Sequence, residues 1–222
     1  MCGKFTTMAS WAKITAFADS LPSLDDDDRQ ITLRVMNALP VIVWDRKAGQ
    51  RRVVPMRWGF LDPTNWKSPR PIHARAETID STFKKLFRDG QRGIVLARTF
   101  NEAPDIDGPT LQHTIDPGDA GGVGLAVVWQ RFEVSDLPPL LACVMVTVPA
   151  NNLIARLPTN RMPAILTEDD WPTWLGENGA SPAAAKACLK TVDDVRWTMN
   201  REEHAASAAR QKPTISDPQG LF

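Results

Sequence analysis

The group in this chain best suited to unusual covalent chemistry is Cys2, in the opening Met1-Cys2-Gly3-Lys4-Phe5. A small residue after the first methionine favours removal of that methionine, which would leave cysteine at the N-terminus. Its α-amine and thiol would then sit on neighbouring carbons. Such a pair condenses with an aldehyde to an imine and closes to a five-membered thiazolidine. The amine titrates near ~8 and the thiol near ~8.5, so both nucleophilic forms are available at neutral pH. Read alone, Cys2 is more simply a small residue following a methionine, and the remaining segments have to decide between the two readings.

Four further segments carry groups that could take part. Ile72-His73-Ala74-Arg75-Ala76-Glu77-Thr78 follows a proline loop, and Arg75 there could clamp a phosphate or carboxylate, or simply pair with Glu77. The apolar run 93–97 leads to Glu102, a carboxylate able to serve as general acid or base if burial raises its pKa. The valine-rich run ending at residue 148 exits into a loop bearing Asn151, Thr159 and Arg161. Trp58-Gly59-Phe60 and Trp66 could stack on bases, although tryptophans at such spacing more often anchor a core.

These residues need a scaffold, and the composition bounds what it can be. The chain has 222 residues, 43% hydrophobic and 23% charged, with a formal net charge of zero. That is the profile of a soluble globular protein with no global field for a polyanion, so any nucleic-acid site must be a local patch. No apolar run reaches the ~18 residues of a membrane span, and no basic segment leads into an apolar one as in a secretory signal, so a cytoplasmic protein with no membrane partner is expected. Cys2, Cys143 and Cys188 lack metal-ligand spacing. We expect no metal and no cofactor, and inert buried thiols at the last two.

Periodicity predicts a helix over 10–21, a solvated acidic run at 25–28, and strands over 41–44 and 51–58 joined by a turn at 45–49. A helix over 77–87, a strand over 93–97, and strands over 109–115 and 124–129 follow. The unbroken apolar run 140–148 reads as a fully buried strand. A helix begins at Thr167 with Asp170 at the capping-box position, and another spans 182–189 with proline in its first turn. The expected architecture is one α+β domain over 1–210, a β-rich core with peripheral helices, followed by a mobile tail over 211–222.

In their order along the chain, Met1-Cys2-Gly3-Lys4-Phe5, 37–40, Trp58-Gly59-Phe60, Ala74-Arg75-Ala76-Glu77-Thr78 with Phe83, Glu102, Trp129, 146–151 and Asn160-Arg161-Met162-Pro163 resemble the SOS-response-associated peptidase family of abasic-site-processing proteins. The resemblance implies a barrel-like or bifurcated sheet surrounded by helices. It further implies an N-terminal cysteine that joins the ring-opened aldehyde of an abasic site in single-stranded DNA, and self-removal of the first methionine. Carried over by position, Cys2 is the nucleophile and Glu102 the proton carrier. Lys4, Asn37, Trp66, Arg75 and Arg161 would hold the DNA, Lys4 standing where the family has arginine and Trp66 filling the gap left by the missing base. The implied partner is single-stranded DNA containing abasic sites; the sequence leaves the oligomeric state open, with a monomer favoured.

Two positions depart from the family pattern. His73 stands where asparagine is usual, and Thr159 (or Pro158, if the loop is one residue longer) stands where the family places a histidine assigned to proton transfer. Threonine does not titrate near neutral pH. Either His73 supplies the imidazole from the opposite wall of the pocket, or the protein keeps non-covalent DNA binding with degenerate chemistry, as a phage or mobile-element accessory protein would. His113 and His204 fall outside the matching segments and read as surface or structural residues.

Overall fold

The computed structural model describes residues 2–7, 32–62, 68–103, 111–118, 122–134 and 137–202. The expected helix over 10–21, the acidic run at 25–28, Trp66, His204 and the tail lie outside them.

The expected β-rich α+β architecture is observed, with twelve strands in one sheet among the described residues. In chain order these are β1 (Lys4–Thr7), β2 (Thr32–Arg34), β3 (Ala38–Asp45), β4 (Gln50–Trp58), β5 (His73–Arg75), β6 (Arg92–Glu102), β7 (His113–Asp116), β8 (Val123–Val134), β9 (Leu137–Pro149), β10 (Arg161–Pro163), β11 (Ile165–Leu166) and β12 (Thr198–Arg201). β8 pairs with β9, β9 with β4, β4 with β3, β3 with β6, and β6 returns to β8, which closes a barrel. The sheet also forks. β6 pairs with β8 from Arg92 to Ala97, and beyond that point β1 lies on one side of it and β7 on the other.

The core is built by the longest apolar runs. Residues 142–148 of β9 are buried without interruption, as the valine-rich run predicts for a strand covered on both faces. Val41 and Ile42 of β3, Ile94 and Val95 of β6 and residues 125–128 of β8 are buried with them. Strands β3 and β4 meet at the expected turn, where Asp45 Oδ1 accepts from the N–H groups of Lys47 and Ala48.

Helices are short and peripheral: α1 (Ile79–Thr82), α2 (Lys84–Arg88), α3 (Trp171–Leu175) and α4 (Pro182–Ala187). The single helix expected over 77–87 is broken at Phe83 (φ −113°, ψ 30°), whose ring packs edge-on against Phe60 at 5.9 Å. A 3-10 turn at Glu168–Asp170 precedes α3, and Thr167 Oγ1 donates to the Asp170 carboxylate rather than capping a backbone N–H. α4 starts as expected, with Ser181 accepting from the N–H of Ala184 and proline in the first turn.

Candidate functional site

Three residues from distant parts of the chain converge at the fork of the sheet. Cys2 lies just ahead of β1, which is anchored by Phe5, fully buried against Trp58 at 5.5 Å. The cysteine is 1% exposed, and its Sγ donates to the Lys4 carbonyl at 3.3 Å. Burial first, and the nearby Glu102 carboxylate second, push its thiol up to about 12. At rest the sulfur is therefore a neutral thiol.

Glu102 is the last residue of β6. Side chains alternate along a strand, so Asn101 faces one side of the sheet while Glu102 faces the other, with Phe100. Glu102 is 1% exposed, and burial pushes its carboxyl up to about 7. The backbone N–H of Cys2 is among the smaller influences in the opposite direction. That nitrogen is the one that removal of Met1 would convert to an α-amine. A carboxyl group poised near neutrality faces a potential nucleophile, which is the pairing that proton transfer requires.

His73 opens β5, which lies parallel to β9 with His73 opposite Met145. Its Nε2 is 2.7 Å from the Cys2 carbonyl oxygen, so Nε2 carries the proton and donates. Nδ1 is buried with no hydrogen-bond partner among the described residues. Burial lowers the imidazole pKa, which keeps the ring neutral. Trp58 supports this segment from below, its Nε1 donating to the Ile72 carbonyl at 3.2 Å. Trp58 and Phe60 are 0% and 5% exposed, so the stacking role considered for this motif gives way to a structural one: the rings fill the core and cannot meet a base.

The remaining predicted residues are distributed around this centre. Arg75, at the end of β5, is exposed. Arg161, on β10, is buried: it holds Glu77 through two contacts of 2.5 and 2.9 Å and also donates to the Thr147 carbonyl at 2.5 Å. Arg161 keeps the Glu77 carboxyl below the usual range. Lys4 is ion-paired with Glu202 at 2.7 Å. Asn37 is exposed and ties the β2–β3 turn, its Oδ1 accepting from the Arg34 N–H at 2.9 Å. Thr159 is half-buried, its N–H donates to the Leu157 carbonyl at 2.6 Å, and among the described residues no hydrogen bond joins its hydroxyl to Cys2, His73 or Glu102.

Sequence reasoning missed two features. His113 lies directly across from Glu102 in the β6–β7 register, although its Nδ1 is 3.2 Å from the Leu111 carbonyl oxygen. Glu202, just past β12, reaches the N-terminal strand through Lys4. No local signal marks Glu202, because its partners are remote in sequence. Cys143 and Cys188 are buried free thiols, as expected. Among the described residues no group of His, Cys, Asp or Glu could hold a metal ion, and no helix is long and apolar enough to cross a membrane.

The chain matches the SOS response associated peptidase (SRAP) family over residues 1–204. It is 23% identical to the abasic site processing protein YoqW of Bacillus subtilis, across 99% of this chain and 98% of that protein. Its fold is similar to that of a Bacteroides thetaiotaomicron protein (TM-score 0.75, 19% identity, covering 91% of this chain and 93% of the other). A Bordetella bronchiseptica protein is similar too (TM-score 0.72, 17% identity, covering 91% and 100%). The chain belongs to the SOS response associated peptidase family.

Proposed function

We propose that this family member processes abasic sites in DNA by covalent capture, with Cys2 as the reacting residue once Met1 has been removed. The observation that carries the reading is the burial of Cys2 against Glu102 and His73, with a carboxyl poised near neutrality beside the future α-amine.

The chemistry runs in two stages. The α-amine of Cys2 attacks the aldehyde carbon of the ring-opened sugar, forming a C–N bond and a carbinolamine. Protonated Glu102 gives its proton to the departing hydroxyl, water leaves, the nitrogen returns its remaining proton to the Glu102 carboxylate, and an imine remains. The Cys2 sulfur then adds to the imine carbon, its proton passes by way of Glu102 to the nitrogen, and the thiazolidine closes. The net change is aldehyde plus aminothiol to thiazolidine plus one water. His73 holds the Cys2 carbonyl and so orients both nucleophiles. Its unpartnered Nδ1 is a second proton acceptor in the pocket, in place of the histidine that Thr159 cannot imitate.

The same groups suit self-removal of Met1, because the leaving nitrogen in that hydrolysis is the Cys2 nitrogen that Glu102 would protonate. Single-stranded DNA is the partner, held through its phosphates by exposed Arg75 and by Lys4, with affinity that falls as salt rises. Lys4 would have to exchange Glu202 for a phosphate.

The test is incubation with a single-stranded oligonucleotide carrying one abasic site, followed by a denaturing gel and intact mass. We expect a shifted band that Cys2→Ala abolishes, in protein lacking Met1. Wild-type protein that lacks Met1 and gives no shifted band would overturn the reading.

A further inference from the structure

One carboxylate outside the pocket collects donors from three strands of the sheet. Lys4 Nζ of β1 lies 2.7 and 2.9 Å from the two Glu202 oxygens. Asn101 Nδ2 of β6 and Thr114 Oγ1 of β7 donate to Glu202 Oε1 at 2.8 and 3.0 Å, and Asn101 Nδ2 also donates to Thr114 Oγ1 at 3.0 Å. Glu202 is itself fixed, its N–H donating to the Gln112 carbonyl at 2.8 Å. The four side chains form one network, with Asn101 only 2% exposed.

The network sits where the register of the two reacting segments is set. Lys4 and Asn101 are direct cross-strand partners, and so are Asn101 and Thr114. Lys4 stands two residues after Cys2, and Asn101 immediately precedes Glu102. The pairing of β1 is short. The strand has four residues, its pairing with β6 slips between Thr6 and Thr7, and its other neighbour, β2, has three residues. Phe5 anchors its middle, while Glu202 ties its start to β6.

We infer that Glu202 is a positioning residue, holding the N-terminal strand in the register that sets Cys2 against Glu102 and His73. The relevance of this to catalysis rests on reading Cys2 as the reacting group, but the positioning itself can be measured without DNA.

The experiment compares native labelling of the three cysteines with N-ethylmaleimide, read by peptide mass, in wild type, Glu202→Ala and Glu202→Gln. We expect Cys2 labelling to rise tenfold or more in Glu202→Ala, with Cys143 and Cys188 within twofold of wild type. Glu202→Gln keeps an acceptor for Asn101 and Thr114 and should recover most of the protection. Where Glu202→Ala fails to fold, Thr114→Val removes one donor at constant volume and should raise Cys2 labelling about threefold. In parallel, capture of saturating abasic DNA by Glu202→Ala should slow about tenfold, while affinity for lesion-free single strands holds or rises because Lys4 is released to a phosphate. A common rise at all three cysteines, or no rise at Cys2, overturns the inference. Wild type that is protected at Cys2 but captures no DNA refutes the proposed function and leaves the positioning standing.

Discussion

His73 Nε2 donates to the carbonyl oxygen of Cys2 across 2.7 Å, joining residues 71 positions apart. The contact fixes the tautomer of the ring and leaves Nδ1 as a buried lone pair. A residue that the family pattern would make asparagine is thus an imidazole in contact with the proposed nucleophile. Thr159 makes no side-chain hydrogen bond to that group among the described residues.

Replacing His73 by alanine should therefore slow capture of an abasic oligonucleotide by at least about tenfold, a barrier change of about 1.4 kcal/mol. Thr159→Ala should remain within about twofold of wild type. His73→Asn separates the two parts of the role: an asparagine amide can still donate to the Cys2 carbonyl, but it cannot accept a proton. Single-turnover rates for the three variants give the answer. Equal losses in His73→Ala and Thr159→Ala would remove His73 from the mechanism.

Glu102 makes stability depend on pH. Its carboxyl moves from the ordinary 4.5 to about 7 on folding, because burial disfavours the charge. The folded state therefore binds the proton more tightly than the unfolded chain. The corresponding stability is fully present below about 4.5 and is lost as pH rises through about 7, to a total of about 3 kcal/mol. Glu102→Gln should be more stable than wild type at pH 8, with the difference shrinking toward pH 5, as measured by urea unfolding at each pH. The same substitution should slow capture by about a hundredfold or more, the scale of general acid catalysis. Wild-type capture should lose its acid catalyst above about 7 while the free amine is still increasing, which gives a bell-shaped profile.

Arg75 and Arg161 should separate cleanly. Arg161 is buried between Glu77 and Thr147, and Arg161→Met leaves the Thr147 carbonyl short of a donor. We expect a loss of about 1–3 kcal/mol, below the range for a fully buried pair because Glu77 is half exposed. Arg75→Ala should change stability by less than about 0.5 kcal/mol. It should instead weaken binding to single-stranded DNA and flatten the salt dependence by about 0.7 in the log–log slope. Thermal unfolding and fluorescence anisotropy at several salt concentrations check both.

Gly59 sits at φ 102°, and a Cβ there would lie 2.6 Å from Pro69 Cβ and 3.2 Å from Ile72 Cγ2. Gly59→Ala should cost about 2–4 kcal/mol, through both the strained backbone and the contact with Pro69. The displaced segment leads directly into His73, so capture should fall more than in a variant of equal stability altered elsewhere. Gly49→Ala is the control: it also has positive φ, but it has open space around it.

The sequence was most legible where one local property settled the outcome. An unbroken valine-rich apolar run marked β9, and strand-forming residues on either side of a turn signal placed β3 and β4. Cys2 and Glu102 stood out as candidates because each lies in a short segment matching the family, Glu102 at the end of an apolar strand. β5, β10, β11 and β12 escaped because two to four residues carry no measurable period; their neighbours make them strands. The helix break at Phe83 goes with a tertiary cluster of Phe60, Phe83 and Phe132, and Trp58 packs on Phe5, neither of which composition encodes. Glu202 could not be found at all, since it acts on a residue 198 positions away.

The high pKa of the Cys2 thiol has a consequence for the protein's survival among oxidants. Peroxides attack thiolates, and a thiol pushed up to about 12 by burial stays protonated at pH 7. Burial also keeps small oxidants away from the sulfur. A stress that damages DNA also tends to raise peroxide, so the sulfur would be spared sulfenic acid formation under the conditions in which it is needed. Under the proposed mechanism its reactivity is conditional on the aldehyde: the amine binds first, and the sulfur follows as an intramolecular partner that never has to exist as a free anion.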